Sequence, residues 1–163
     1  MSDGYYSQTS SAKTDVNIQK KGIMLVIPTI GEVFQSHRLC KEINKLFHDS
    51  PLCAIVDDNE AYRVAKSING IDKILVYQGD TSFNADSVLN KTNPNIIVFM
   101  ENCYYPQLLI EAEKRNITTL LISAVMNDAI RCHLRYKKCF LMDAYKLFSS
   151  VGVKSSMYIK EFV

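Results

Sequence analysis

The sequence lacks the features that mark several common classes of protein. It has no glycine-rich phosphate loop, because the segment at 28–34, PTIGEVF, holds a single glycine and matches neither GxGxxG nor GxxxxGK[ST]. This absence disfavours classical dinucleotide binding and P-loop chemistry. No window reaches the ~18–20 apolar residues of a membrane span, and the polar N-terminus lacks the apolar core of a signal peptide.

Charge and cysteine content exclude further classes. The net charge of +2 is too small to indicate a nucleic acid as partner. The five cysteines are odd in number and form no Cys-x-x-Cys, which argues against a disulfide framework and favours a reducing compartment. Cys132, His133 and Cys139 match no standard metal spacing. We therefore expect neither a metal nor a cofactor.

The chain does contain a regular series of short apolar runs. Its 163 residues suit one domain, and we expect residues 1–20 to form a flexible polar arm and 21–163 a single Rossmann-like domain. Most runs are continuous rather than alternating, which is typical of strands buried on both faces of a parallel sheet. Strands are predicted at 22–28, 52–56, 73–77, 95–100 and 118–123.

Helical periodicity separates these strands. It predicts a helix near 32–48 and another near 59–69, a shorter one around Ala85–Leu89, and a fourth marked by Tyr105, Leu108, Leu109 and Ala112. The apolar residues of the first helix share one face, which we expect to be buried: Leu39, Cys40, Ile43, Leu46 and Phe47. The repeated strand–helix order predicts an α/β fold with a doubly wound parallel sheet. The segment 126–148 has a helical pattern, and 151–163 holds either a sixth short strand or a closing turn.

Two glutamates follow strands of this predicted sheet. Ligands of open α/β sheets bind beyond the carboxyl ends of the strands. Glu32 follows the first strand and Glu101 ends the fourth, so both face one crevice if these strands are neighbours. Alternatively, Glu32 is an acid that favours the helix N-terminus, Gly31 eases a tight turn, and Glu101 is solvated or bonded to nearby amides.

The remaining candidates also have two interpretations each. Cys103 is either a nucleophile on the crevice loop or a packing residue, whereas Cys40 and Cys53 fall on core positions. Tyr104 and Tyr105 either stack on a sugar or brace the loop. The basic residues of 131–146 either contact an anionic lipid or phosphorylated acceptor, or form a solvated helical face.

Two motifs in this context resemble a known family. TIGEV at 29–33 is similar to the SVGE turn of 3-deoxy-D-manno-octulosonic acid (Kdo) transferases, and MENCYYPQLL at 100–109 is similar to their METELWP stretch. The flanking segments SVLNKTNPNIIVFME and EAEKRNITTLLISAVMNDAIRCHLRY also resemble the family. The likeness covers about 22–148 and concerns the N-terminal half of these enzymes, which have two Rossmann-like domains in the GT-B arrangement.

The resemblance implies a function and a set of site residues. Glu32 matches the catalytic base of the family, which takes the proton of an acceptor hydroxyl, and Glu101 matches a glutamate that supports it. The implied donor is CMP-Kdo and the implied acceptor a lipid A precursor-like glycolipid. The acceptor-binding residues would be Thr29, Gly31, Asn102, Tyr105, Ser123 and Arg131.

The chain also departs from the family. Cys103 replaces a second glutamate, Tyr105 a tryptophan, and Val125 an arginine. The chain ends at Val163, roughly where the first domain of the family stops, so we expect it to need a donor-binding domain on a partner chain and to be inactive alone. We expect a cytoplasmic protein, peripheral at the inner membrane.

Two other functions stay open. One is a non-catalytic binding or interaction module that retains only the fold, because fold does not determine function. The other is a stand-alone nucleotide-binding protein, against which the missing glycine-rich loop argues.

Overall fold

A computed structural model describes residues 21–101, 103, 105–125 and 145–158. These residues form strands, helices and a final 3₁₀ turn at Ser156–Tyr158. The elements in chain order are β1 (Gly22–Val26), α1 (Ile30–Leu46), β2 (Leu52–Val56), α2 (Asn59–Ala65), β3 (Lys73–Val76), α3 (Ser82–Thr92), β4 (Pro94–Met100), α4 (Pro106–Lys114), β5 (Thr118–Ala124) and β6 (Ser150–Val153).

The strands form one six-stranded parallel sheet in the order β3-β2-β1-β4-β5-β6. The doubly wound α/β prediction is therefore confirmed, and the five predicted strands match the observed ones within two residues at each end. The last segment contains a sixth strand rather than only a turn. Of the helix predicted at 126–148, residues 126–144 lie outside the described part.

The core consists of two apolar layers, one on each face of the sheet. Along β1, Met24 and Val26 pack with α3 and α4, whereas Ile23 and Leu25 pack with α1 and α2. This alternation follows from the period of two residues in a strand. Both faces are covered by helices, which explains why the strands have continuous apolar runs.

Helix α1 is longer than the sheet that it covers. Its 17 residues span about 25 Å at ~1.5 Å per residue, whereas the five residues of β1 span roughly 17 Å. Cys40 and Ile43 are buried, but Leu46 is 68% and Phe47 46% exposed. The prediction that Leu46 and Phe47 join the buried face is therefore wrong, because this end of α1 extends past the sheet.

Candidate functional site

The two predicted glutamates lie at one edge of the sheet. β1 and β4 are hydrogen-bonded neighbours, and all strands run in the same direction, so their carboxyl ends meet at one edge. Glu32 lies in the first turn of α1, just after β1, and Glu101 directly follows β4. The strand order reverses between β1 and β4, and this switch point is where ligands of open α/β sheets bind.

Glu32 is tied to the start of its own helix. Thr29 is the N-cap of α1 and forms a capping box with Glu32. The backbone N–H of Thr29 donates to Glu32 Oε2 at 3.1 Å, and the Thr29 hydroxyl donates to the same oxygen. Glu32 thus does favour the start of the helix, which is one of the two roles that the sequence suggests for it.

The capping box engages only one oxygen of the carboxylate. Within the described part of the chain, no donor hydrogen-bonds to Glu32 Oε1, and no basic side chain pairs with Glu32. The residue is half-buried. The cap therefore fixes the orientation of the carboxylate through Oε2, and Oε1 has no hydrogen-bond donor within the described ranges.

Glu101 and Ser123 share an unusual backbone conformation. Their φ angles are 54° and 56°, in the left-handed region that costs a non-glycine residue about 1–2 kcal/mol. Glu101 donates its backbone N–H to Ile122 O at 2.8 Å. Ser123 lies where the pairing of β5 with β6 shifts register, between Leu121 and Ala124. Such strained residues and bulges cluster at functional sites.

Thr29 and Gly31 are exposed at the same edge of the sheet. Gly31 is helical, and a Cβ built on it would come no closer than 3.5 Å to Thr29 Oγ1. Its backbone is not in the left-handed region, so no tight turn requires glycine here. The expectation that Gly31 eases a tight turn is wrong. Its missing side chain leaves open surface next to Glu32.

The structure adds two acids that the sequence reasoning missed. Asp57 follows β2 and accepts a hydrogen bond from the Tyr105 hydroxyl. Asp80 follows β3 and accepts from the Tyr77 hydroxyl at 2.8 Å. The centroids of the Tyr77 and Tyr105 rings lie 5.0 Å apart. A sequence signal existed for both acids, because each follows a predicted strand just as Glu32 and Glu101 do.

Comparison with known proteins identifies the family. The sequence matches the family of 3-deoxy-D-manno-octulosonic-acid transferase (kdotransferase), N-terminal domain, over residues 4–163. The chain belongs to this family. The matched range includes TIGEV and MENCYYPQLL, the two motifs on which the resemblance rests. A separate comparison with curated proteins gives no match.

Several solved structures share the fold of this chain. A UDP-N-acetylglucosamine 2-epimerase aligns with a TM-score of 0.63 at 14% identity, covering 85% of this chain and 43% of that chain. The epimerase of Rickettsia bellii gives 0.63 at 15%, with 88% and 41% covered. The epimerase of Neisseria meningitidis, bound to UDP-GlcNAc, gives 0.57 at 15%, with 81% and 39% covered.

Because the sequence identity to these structures is only 14–15%, the alignments establish the fold alone. The chain spans less than half the length of each of these structures. It thus corresponds to one Rossmann-like half of a GT-B-like architecture.

Cys103 is a packing residue rather than a nucleophile. Its side chain is 9% exposed and lies in the core layer on the α3 and α4 face. Burial raises the pKa of the Cys103 thiol, and the charges of Asp57 and Glu32 raise it further. A thiol that stays protonated is a poor nucleophile. Cys40 and Cys53 are buried as predicted, and burial raises the pKa of each thiol.

Tyr105 braces the loop before α4. It is the N-cap residue of α4 rather than part of its apolar face, and it is half-buried against the core. Burial raises the pKa of the Tyr105 hydroxyl, so at neutral pH it remains a hydrogen-bond donor. Its hydrogen bond to Asp57 favours the bracing interpretation.

Several predicted residues lie outside the described part of the chain, namely Asn102, Tyr104, Arg131 and the rest of 126–144. Within the described ranges, no group of three or more His, Cys, Asp or Glu could hold a metal ion. Within the same ranges, no helix is both long and apolar enough to cross a membrane.

Proposed function

We propose that this chain is the acceptor-side domain of a Kdo-transferase-like glycosyltransferase. It would bind a lipid A precursor-type glycolipid and act together with a donor-binding domain that holds CMP-Kdo. The observation that carries the proposal is the half-engaged carboxylate of Glu32 at the switch point of the sheet, in a chain that belongs to a Kdo-transferase family.

Glu32 would act as the general base. Its Oε1 takes the proton of the acceptor hydroxyl, whose oxygen attacks the anomeric carbon of the Kdo unit. The bond between that carbon and the phosphate oxygen of CMP-Kdo breaks, and CMP leaves with the electron pair. A base must lie within about 2.6–3.2 Å of the hydroxyl, and the capping bond from Thr29 supports this role because it removes the rotational freedom of the carboxylate.

Glu101 and Ser123 would support the acceptor. Both lie at the carboxyl ends of adjacent strands in a left-handed conformation, and Ser123 is exposed. Thr29, Gly31 and Tyr105 would complete the acceptor-binding surface with Asn102 and Arg131. The basic segment at 131–138 would contact phosphate groups of the acceptor or an anionic membrane surface. In that case, the protein would lie at the cytoplasmic face of the inner membrane.

One observation favours a second function. Cys103 stands where the family has a second glutamate, and its buried thiol supplies no charge to an acceptor. A domain that has lost this carboxylate could serve as a non-catalytic binding module. Under this alternative, the chain binds the glycolipid, but no partner domain confers transfer.

A transfer assay separates the two functions. CMP-Kdo and a lipid A precursor are incubated with the full chain, with and without a donor-binding domain of the same family. We expect transfer only when both are present. Glu32→Gln keeps the capping bond, because glutamine also serves at this position of a capping box, but removes the base and lowers kcat about 10²–10⁴-fold.

Binding of the acceptor supplies the control. Glu32→Gln is expected to bind the lipid A precursor within about threefold of the unsubstituted chain, because it removes no structural contact. Equal transfer by Glu32→Gln and the unsubstituted chain would exclude Glu32 as the base. Glycolipid binding without transfer under any condition would favour the binding module.

A further inference from the structure

The start of α4 is held by a distant carboxylate. Tyr105, the N-cap residue of α4, makes no side-chain bond to the helix. Instead, Asp80 Oδ2 accepts the backbone N–H of Gln107 at 2.8 Å, and Asp80 Oδ1 accepts that of Leu108 at 3.1 Å. Asp80 thus satisfies two of the N–H groups that a helix start leaves unpaired.

Asp80 is itself fixed in place. The Tyr77 hydroxyl donates to its Oδ1 at 2.8 Å, and the Tyr77 side chain is 3% exposed in the core. Burial raises the pKa of the Tyr77 hydroxyl, and the bond to Asp80 raises it further, so the hydroxyl keeps its proton. The carboxylate therefore accepts three hydrogen bonds from groups with little freedom to move.

A second carboxylate holds the residue just before α4. Asp57 accepts the Tyr105 hydroxyl, and the Tyr105 ring packs on that of Tyr77. Asp57 and Asp80 follow β2 and β3, so two loops of one half of the sheet hold a segment that belongs to the other half. We call these two acids the carboxylate clamp.

The clamp acts on the connection that carries Glu101. This connection runs from the end of β4 to Pro106, the first residue of α4. At its near end, Glu101 bonds to Ile122 O and Cys103 N–H bonds to Met100 O at 3.1 Å. A left-handed non-glycine residue persists only where its surroundings fix it. The clamp holds the far end of this connection, at Tyr105 and the first turn of α4.

We propose that Asp80 is a positioning residue for the acceptor site: by holding the first turn of α4, it fixes the segment that follows Glu101 at the switch point of the sheet. The inference rests on the proposed function, because it assigns a consequence to the orientation of Glu101. Asp80 contacts no reacting atom in this role. Asp57 and Tyr105 form the weaker arm of the clamp, since Asp57 is exposed.

Hydrogen exchange tests the clamp without any activity. In the full chain, Asp80→Ala is expected to speed exchange at the amides of Gln107 and Leu108 by roughly tenfold or more, because each loses an ionic acceptor. Asp58→Ala is the matched control. Asp58 caps α2 through the N–H groups of Glu60 and Ala61 at 2.9 and 2.7 Å, and its loss should leave the amides of α4 unchanged.

Steady-state kinetics test the positioning role. With the donor-binding domain, CMP-Kdo and a lipid A precursor, Asp80→Ala should lower kcat about 10- to 100-fold, because a small misplacement at the reacting centre has effects of this size. The KM for CMP-Kdo should change less than about threefold. Asp80→Asn keeps one acceptor oxygen and the fold, and should show a smaller loss in the same direction. Asp58→Ala should retain kcat.

The outcomes distinguish the inference from the proposed function. The positioning role alone would be overturned if the unsubstituted enzyme is active and both Asp80→Ala and Asp80→Asn have the same kcat as Asp58→Ala. Unchanged exchange at Gln107 and Leu108 in Asp80→Ala would overturn the clamp. An unsubstituted chain that transfers no sugar with its donor domain would overturn the proposed function, and the positioning role with it.

Discussion

Two helices that begin at the same edge of the sheet obtain their caps in different ways. α1 is capped from within, by Thr29 and Glu32 three residues apart. α4 is capped from outside, by Asp80, which is 27 and 28 residues away from the amides that it accepts. A local cap stabilises one helix, whereas a distant cap also fixes two parts of the fold relative to each other. Disrupting each cap should therefore have different effects.

The largest effect on stability is expected at the distant cap. Asp80→Ala leaves two amides of α4 and the Tyr77 hydroxyl without their acceptor, and hydrogen bonds to a charged group contribute about 1.5–3 kcal/mol. We expect the free energy of unfolding, measured in urea, to fall by about 2–3 kcal/mol. A loss no greater than that of Asp58→Ala, about 1 kcal/mol for an ordinary cap, would show that α4 does not depend on Asp80.

Alkaline pH should lower the free energy of unfolding through Tyr77, the hydroxyl that donates to the distant cap. Burial raises the pKa of the Tyr77 hydroxyl above its ordinary 10.0, so above that pH the folded state holds a proton that the unfolded state releases. The free energy of unfolding then falls as pH rises, by at most about 1.4 kcal/mol per pH unit for this group.

The control for this pH effect is Tyr77→Phe, which has no proton to release at this position. Urea titrations between about pH 9 and 11 should show a shallower decline for the variant. Parallel declines of the variant and the unsubstituted chain would mean that Tyr77 does not contribute to the alkaline loss.

A smaller effect is expected at the local cap. Glu32→Ala removes the carboxylate from the capping box. Because the loss of a cap or of a helix-dipole acid costs about 0.5–1 kcal/mol, we expect the free energy of unfolding to fall by about that amount. The same urea titration measures it. A loss as large as that of Asp80→Ala would contradict the contrast between the two caps.

The smallest effect on stability is expected for Glu32→Gln. The amide oxygen can still accept the Thr29 N–H, so the free energy of unfolding should stay within about 0.5 kcal/mol of the unsubstituted chain. This variant separates the structural role of Glu32 from its proposed chemical role. A marked destabilisation would mean that the charge itself, rather than the hydrogen bond, supports α1.

The fold was predictable from the sequence because its signals are local. The apolar runs of the strands and the helical spacing between them follow from the chemistry of a few neighbouring residues. Thr29 followed by Glu32 is also a recognisable local pattern. The exposed Leu46 and Phe47 were mispredicted, because the length of α1 relative to the sheet is a tertiary property.

The candidate site was predictable only in part. Glu32 and Glu101 follow strands, so the parallel order alone places them at one edge. Asp57 and Asp80 have the same signal, but their partners lie far away in the sequence and no local pattern indicates them. The left-handed conformations of Glu101 and Ser123 depend on the register of the sheet, which no local sequence pattern indicates.

The availability of Glu32 Oε1 can be tested most directly by a crystal structure of the chain with a phosphorylated disaccharide acceptor. We predict the attacking hydroxyl within about 2.6–3.2 Å of Oε1, with Oε2 still bonded to Thr29. A sugar bound at the opposite edge of the sheet, or a hydroxyl separated from Glu32 by more than one water molecule, would contradict the role of Glu32 as the base.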